Sequence, residues 1–221
     1  MKLLKEALIK FTCGLLLVGL LIFLPAGTMA YTYGWLLVGL LFAPMLIAGF
    51  VMMWKSPAFL KKRLDAKEKQ ATQKGVLAFS GLMFVAGFVV SGFGYRFGWF
   101  CLPTWLSIVG GVVLLLAYGM YAEVLRENTY LSRTVEVCDG QRVIDTGLYS
   151  VVRHPMYLAT ILLFLSMPLV LGSLYAFLIF LIYPLLIVFR IRGEECLLEK
   201  ELDGYTDYEK RVKYRLIPLI W

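Results

Sequence analysis

The chain has 221 residues, of which 60% are hydrophobic and only 17% are charged, and its mean hydropathy is +0.77. Soluble domains average about 45–50% apolar and about 25% charged residues, so this composition excludes a soluble globular domain and a disordered chain. Four widely spaced cysteines exclude a disulfide scaffold. The net charge of +7 indicates membrane topology and contact with anionic lipid rather than nucleic-acid binding. The composition predicts an integral membrane protein.

Apolar runs of about 20 residues, the length that crosses a bilayer as a helix, recur along the chain. They predict spans at Ala7–Pro25, Tyr31–Trp54, Val76–Tyr95 and Trp99–Glu123. The last apolar block, Met156–Phe189, is too long for one span and is interrupted near Pro168 and Gly172. It predicts a helical hairpin (156–190) that turns near Gly172. The expected fold is therefore all-α, with about six membrane segments.

The positions of lysine and arginine predict the orientation of these spans. With these boundaries, Arg96 alone among the 22 Lys and Arg residues falls on the opposite side. A multi-pass protein with both termini and both long loops in the cytoplasm is therefore expected. The basic loop 55–75 is expected to lie on anionic lipid; a docking surface for an acidic partner is the alternative. A cleaved signal peptide ending near Gly27–Ala30 is a less favoured interpretation of the first span.

Polar residues concentrate in the loop 127–157 and the tail 190–221, which flank the predicted hairpin. The hairpin should bring both segments to one membrane face. His154, the single histidine, precedes Pro155, which suits the first turn of a helix. Arg190 and Glu194 are four residues apart and would share a helix face. No dinucleotide-binding, P-loop or zinc-protease motif is present, and no metal site is expected.

Two sequence blocks carry a resemblance to a known family. The first is G-x-Y-x-x-x-R-H-P-x-Y at Gly147–Tyr157, and the second is Arg190-x-x-x-Glu194-Glu195 followed by Tyr205-x-x-Tyr208. Together with the intervening hairpin, they resemble the isoprenylcysteine carboxyl methyltransferase family of membrane enzymes, which is related to phospholipid N-methyltransferases. The resemblance covers about residues 125–221. It suggests a scaffold at 1–124 and a methyltransferase core at 125–221 with a cytoplasmic cofactor loop and an amphipathic C-terminal helix.

The resemblance implies S-adenosylmethionine as cofactor, S-adenosylhomocysteine as product, and no Rossmann fold. The implied catalytic residues are Arg190, which would place the substrate, and Glu194. Arg153 belongs to the motif, and Gln141 stands where a histidine is common. The implied cofactor-binding residues are Gln141, Arg142, Val143, Ile144, Tyr149, His154, Pro155, Met156, Tyr157 and Glu194.

The favoured function is therefore methyl transfer to a lipophilic acceptor that enters from the bilayer, in particular the carboxylate of an isoprenylcysteine-like or other lipophilic acid. The main alternative is N-methylation of a phospholipid amine, for which Glu194 or Glu195 would be the base. A sterol-type reductase that uses NADPH and a membrane protein without enzymatic activity are weaker alternatives. The role of Cys138, within the implied cofactor loop, is left open.

Overall fold

The computed structural model describes residues 2–65, 71–99, 101–131, 137 and 140–221. Residues 66–70 of the predicted basic loop, and Cys138, lie outside the described residues. Within the described part the chain is helical, with no strand. The α-helices are α1 (Lys2–Ala26), α2 (Thr32–Lys55), α3 (Pro57–Asp65), α4 (Ala71–Arg96), α5 (Thr104–Glu127), α6 (Pro155–Val170), α7 (Leu174–Phe180), α8 (Ile182–Glu201) and α9 (Tyr205–Arg211). A short 3-10 helix occupies Gly147–Ser150.

Five helical segments of the described chain are long and apolar enough to cross a membrane. They are α1, α2, α4, α5 and the combined stretch Leu174–Glu201, whereas α6 is apolar but has only 16 residues. The expected all-helical, multi-pass membrane architecture is therefore supported. The count of six spans, the hairpin as a membrane element, the cytoplasmic loop, the orientation of the termini and the two-part division of the chain stay predictions.

A turn at Gly172 separates α6 from α7. This residue has φ +67°, a conformation that favours glycine. Ser173 then caps α7, because its side-chain oxygen accepts a hydrogen bond from the amide of Ala176. The following break between α7 and α8 at Leu181 coincides with Pro184, which lacks the N–H that would bond to the carbonyl of Phe180.

Two helix starts differ from the sequence prediction. The fourth span was predicted to begin at Trp99, but α5 begins at Thr104, directly after Pro103. Gly98 has φ +63°, so the chain turns before Trp99 and does not continue as helix. Conversely, α4 begins at Ala71 rather than Val76. This earlier start places Gln73, assigned to the basic loop by sequence, inside a helix.

The helices pack through small residues and aromatic rings. α5 lies along α6, and α4 contacts α1, α7 and α8. A Cβ built at Gly110 of α5 would lie 2.8 Å from Cβ of Leu169 and 3.0 Å from the amide nitrogen of Val170. Phe84 and Phe180 make an edge-to-face pair between α4 and α7, with ring centroids 5.3 Å apart. Large apolar side chains elsewhere on α1, α2, α4 and α5 are exposed, as expected for a surface that faces lipid.

The close approach at Gly110 predicts that Gly110→Ala destabilises the protein. The added methyl group meets the backbone of α6 and not a flexible side chain, so overpacking should cost about 1–3 kcal/mol. Thermal unfolding in detergent measures the effect. Gly81→Ala is the matched control, because a Cβ at Gly81 meets nothing within 4 Å. Equal stability of the two variants would contradict this account of the α5–α6 contact.

Candidate active site

The two polar segments of the chain meet around one cavity. The cavity contains about 840 Å³ of empty space, part of it open to solvent. Its walls come from the end of α5, the loop before α6, the start of α6, the polar end of α8 and α9. The lining residues are Asn128, Tyr130, Leu131, Gln141, Arg142, Val143, Ile144, Tyr149, Arg153, His154, Met156, Tyr157, Arg190, Glu194, Leu197, Leu198, Leu202, Tyr205 and Tyr208.

Most residues implied by the sequence resemblance line this cavity. Ten of the eleven do so: Gln141, Arg142, Val143, Ile144, Tyr149, His154, Met156, Tyr157, Arg190 and Glu194. The eleventh, Pro155, is buried as the first residue of α6 instead. Its missing N–H costs no hydrogen bond there, since the first helical amides have no partner within the helix. The structure therefore brings these residues together; which of them bind a ligand stays a prediction.

The carboxylate of Glu195 holds the cavity wall together. This residue is 3% exposed. Its Oε1 accepts hydrogen bonds from Nε (2.9 Å) and NH2 (2.7 Å) of Arg153, and its Oε2 accepts one from Nε of Arg215 (2.6 Å). Nε2 of His154 lies 3.2 Å from the same Oε1. Because a carboxylate only accepts, this contact places a proton on Nε2 of His154 and fixes its ring.

The tail also fixes the backbone that leads into α6. The amide of Arg153 donates to the carbonyl of Tyr214, and the amide of His154 donates to the carbonyl of Arg215, both at 2.9 Å. NH1 of Arg153 donates to the carbonyl of Val212 at 2.9 Å. The guanidinium of Arg153 is thus engaged by acceptors of the chain itself, which gives this motif residue a structural role.

A second polar group joins α6 to α8 on the cavity wall. The hydroxyl of Tyr157 donates a short hydrogen bond to Oε2 of Glu194 and accepts one from Nε of Arg190 at 3.0 Å. Arg190 is 8% exposed. Tyr157 therefore connects an anionic and a cationic side chain that lie one helical turn apart, and it orients both at the cavity.

The loop before α6 is held by contacts with α5 and α9. Gly147 has φ +50°, and a Cβ there would collide with the carboxylate of Glu127. That carboxylate accepts a hydrogen bond from the amide of Leu148 at 3.1 Å. The hydroxyl of Tyr149 accepts a hydrogen bond from Nδ2 of Asn128 at 3.0 Å. The backbone carbonyl of Tyr149 accepts a hydrogen bond from the hydroxyl of Tyr208 at 2.7 Å. Gly147 and Tyr149 are therefore required by local packing as well as by the motif.

Sequence reasoning missed several residues of this site. Tyr205 and Tyr208 were named in the second motif block but were given no role in the site. Their spacing of three places both on one face of α9, where both are buried. Gln73 does not line the cavity but bonds to Arg190, and it carried no signal because it was assigned to a loop far away in sequence. Asn128 and Leu131, which follow the end of α5, also line the cavity.

The hydroxyl of Tyr205 is a buried polar atom at the cavity wall. It has no hydrogen-bond partner among the described residues. Burial raises the pKa of this hydroxyl well above its usual value, and the nearby carboxylates of Glu195 and Glu194 act in the same direction. The hydroxyl therefore stays protonated at neutral pH and can donate a hydrogen bond to a ligand.

Comparison with known proteins shows similarity to one family over part of the chain. Residues 104–203 match the sequence model of the family described as phospholipid methyltransferase. The matched range begins with α5 and ends just after α8, so it contains His154, Tyr157, Arg190, Glu194 and Glu195. The match supports a membrane methyltransferase and does not specify the methyl acceptor.

A second similarity covers a smaller part of the chain. A 91-residue segment is 33% identical to the Delta(14)-sterol reductase of Mus musculus. This segment makes up 40% of the chain but only 22% of the reductase. The chain thus matches about a fifth of the length of this curated relative, which is too little to assign its activity.

The contacts of Glu195 predict a large loss of stability for Glu195→Gln. The substitution keeps the shape but leaves the buried guanidinium of Arg153 without its main counter-charge, so the free energy of unfolding should fall by about 3 kcal/mol. Thermal or denaturant unfolding in detergent gives the value.

Glu209→Gln is the matched control for this substitution. Glu209 lies 3.3 Å from NH2 of Arg153, and its side chain is 20% exposed. Burial raises the pKa of its carboxyl above the ordinary value. Its loss should cost about 1 kcal/mol or less. If both variants lost the same stability, Glu195 would not be the dominant partner of Arg153.

Proposed function

We propose that this protein is a membrane methyltransferase that uses S-adenosylmethionine and methylates the carboxylate of a lipophilic acid. One observation carries the proposal. A single cavity combines Arg190 and Glu194 of α8 with His154 and Tyr157 at the start of α6, within the range that matches the methyltransferase family. The proposal places the cavity at the cytoplasmic face, where a water-soluble cofactor and a membrane-bound acceptor can both reach it.

The chemistry of the cavity wall fits this cofactor. S-adenosylmethionine carries a cationic sulfonium, an amino-acid group and an adenosine. The carboxylate of Glu194 suits its cationic part, and the rings of Tyr149 and Tyr208 offer aromatic surface to a cation or a base. The unpartnered hydroxyl of Tyr205 supplies a spare donor. The loop 141–144 would add backbone groups, and His154, Met156 and Tyr157 would complete the binding surface.

The cofactor would supply an electrophilic methyl group when bound, and the chain would supply binding and alignment. Arg190 would bind the acceptor carboxylate through charge-assisted hydrogen bonds. Tyr157 would hold Arg190 and Glu194 in fixed positions, so the acceptor and the cofactor would be oriented by one rigid group. Such alignment contributes a large part of the rate of a bimolecular displacement. A carboxylate acceptor has no proton to lose, so the reaction requires no general base.

The second candidate is N-methylation of a phospholipid amine. The matching family is described as phospholipid methyltransferase, which favours this candidate. Glu194 in the cavity wall would be the base for the proton that an ammonium group must lose. We favour the carboxylate because the buried guanidinium of Arg190 is also part of this wall, and a cation there repels an ammonium head group.

Ligand titration is the first test of the proposed cofactor. In isothermal calorimetry on the detergent-purified protein, S-adenosylmethionine and S-adenosylhomocysteine should bind saturably and NADPH should not. His154→Ala and Glu194→Ala should each weaken binding about tenfold or more, and Tyr205→Phe about fivefold, since the loss of one hydrogen bond has this magnitude. Binding of NADPH alone would favour a reductase. No binding to folded protein would favour a role without catalysis.

Product analysis distinguishes the two acceptors. With isotopically methylated S-adenosylmethionine, the protein should transfer label to N-acetyl-S-farnesylcysteine, as a methyl ester that alkali releases as methanol. Arg190→Gln should lower this transfer at least about tenfold, because the carboxylate loses a charged partner. Alkali-stable label on phosphatidylethanolamine, with none on the farnesylcysteine, would replace the first candidate with the second.

A further inference from the structure

Gln73 is a buried polar residue near the start of α4, in the half of the chain that precedes the family match. It is 1% exposed. A buried amide requires hydrogen-bond partners, and the side chain of Gln73 bonds to Arg190 through both of its polar atoms. Its Oε1 accepts from NH1 of Arg190, and its Nε2 donates to the carbonyl of the same residue, each at 3.4 Å.

The position of Gln73 depends on a glycine of α8. A Cβ at Gly193 would collide with the amide group of Gln73. Gly193 follows Arg190 by three residues and therefore lies on the same side of the helix. The absence of a side chain there opens the space through which Gln73 of α4 reaches the guanidinium and the backbone of Arg190. The contact thus requires two specific residues from separate helices.

We propose that Gln73 is a positioning residue for Arg190 and sets the preference of the site for an anionic acceptor; this inference rests on the proposed function. A guanidinium is planar and donates in fixed directions. Tyr157 of α6 holds its Nε at 3.0 Å, and Gln73 of α4 holds its NH1. Contacts from two different helices fix the plane of the guanidinium, so an acceptor carboxylate meets donors that are already oriented.

The residue type at position 73 matters because an amide is neutral. Its oxygen accepts a hydrogen bond from Arg190 without adding negative charge, so the guanidinium keeps its full attraction for a carboxylate. A glutamate of the same shape would accept the same hydrogen bond, but its charge would offset that of Arg190 inside a poorly solvated wall. It would therefore disfavour an anionic acceptor without altering the shape of the site.

The experiment compares Gln73→Glu and Gln73→Met with wild type, using N-acetyl-S-farnesylcysteine as acceptor. Gln73→Glu should lower kcat/KM at least about tenfold, mainly through KM, and Gln73→Met, which keeps length and neutrality but loses the amide, about threefold to tenfold. The Kd of S-adenosylhomocysteine should stay within about twofold in both variants. If Gln73 had a purely structural role, its variants would weaken S-adenosylhomocysteine binding together with kcat/KM.

Ser91→Ala is the matched control. Ser91 is also a 1% exposed polar residue of α4, and its hydroxyl donates to the carbonyl of Gly87 at 2.9 Å. It lies 18 residues after Gln73 along α4. The Ser91→Ala variant should leave kcat/KM unchanged.

Unchanged kcat/KM in both Gln73 variants would overturn this inference but not the proposed function. Parallel loss of S-adenosylhomocysteine binding also overturns it, since Gln73 would then be structural. Wild type that fails to methylate the farnesylcysteine overturns the proposed carboxylate acceptor, and the inference with it.

Discussion

The carboxylate of Glu195 connects parts of the chain that are far apart in sequence. It pairs with Arg153 and His154 at the start of α6 and with Arg215 in the tail, while the backbones of these two segments bond directly to each other. If the carboxylate were buried with a single guanidinium group, both groups would lose hydration free energy. The additional donors offset this loss. The position of His154, and with it one wall of the cavity, depends on this network.

Two consecutive glutamates of α8 have different roles because of helix geometry. Successive residues of an α-helix are rotated by about 100° around its axis. Glu195 consequently faces Arg153 and the tail, whereas Glu194 faces the cavity and bonds to Tyr157. The same rotation separates Arg190, which is buried, from its neighbour Phe189, which is 63% exposed. One helix thus provides a structural carboxylate, a cavity carboxylate, a cavity cation and a surface that faces lipid.

Much of this arrangement could be predicted from the sequence, because its signals are local. Apolar runs of spanning length predicted the helices, and the interruption near Gly172 predicted the break between α6 and α7. The spacing of Arg190 and Glu194 predicted one shared helix face. Residues whose position depends on tertiary contacts could not be predicted. Gln73 reaches Arg190 only because α4 starts earlier than its hydropathy indicates and because Gly193 leaves space. The contact of Arg215 with Glu195 depends on the path of the tail after α9.

Arg190 shows why the first half of the chain matters to a site whose motifs all lie in the second half. A buried guanidinium is costly unless its donors are satisfied. The hydroxyl of Tyr157, on α6, accepts a hydrogen bond from one nitrogen of Arg190, and the amide oxygen of Gln73, on α4, accepts one from another. The α4 contact cannot come from the matched range, which begins at α5. One helix before the matched range, α4, therefore contributes to the polar surroundings of the cation to which the acceptor is proposed to bind.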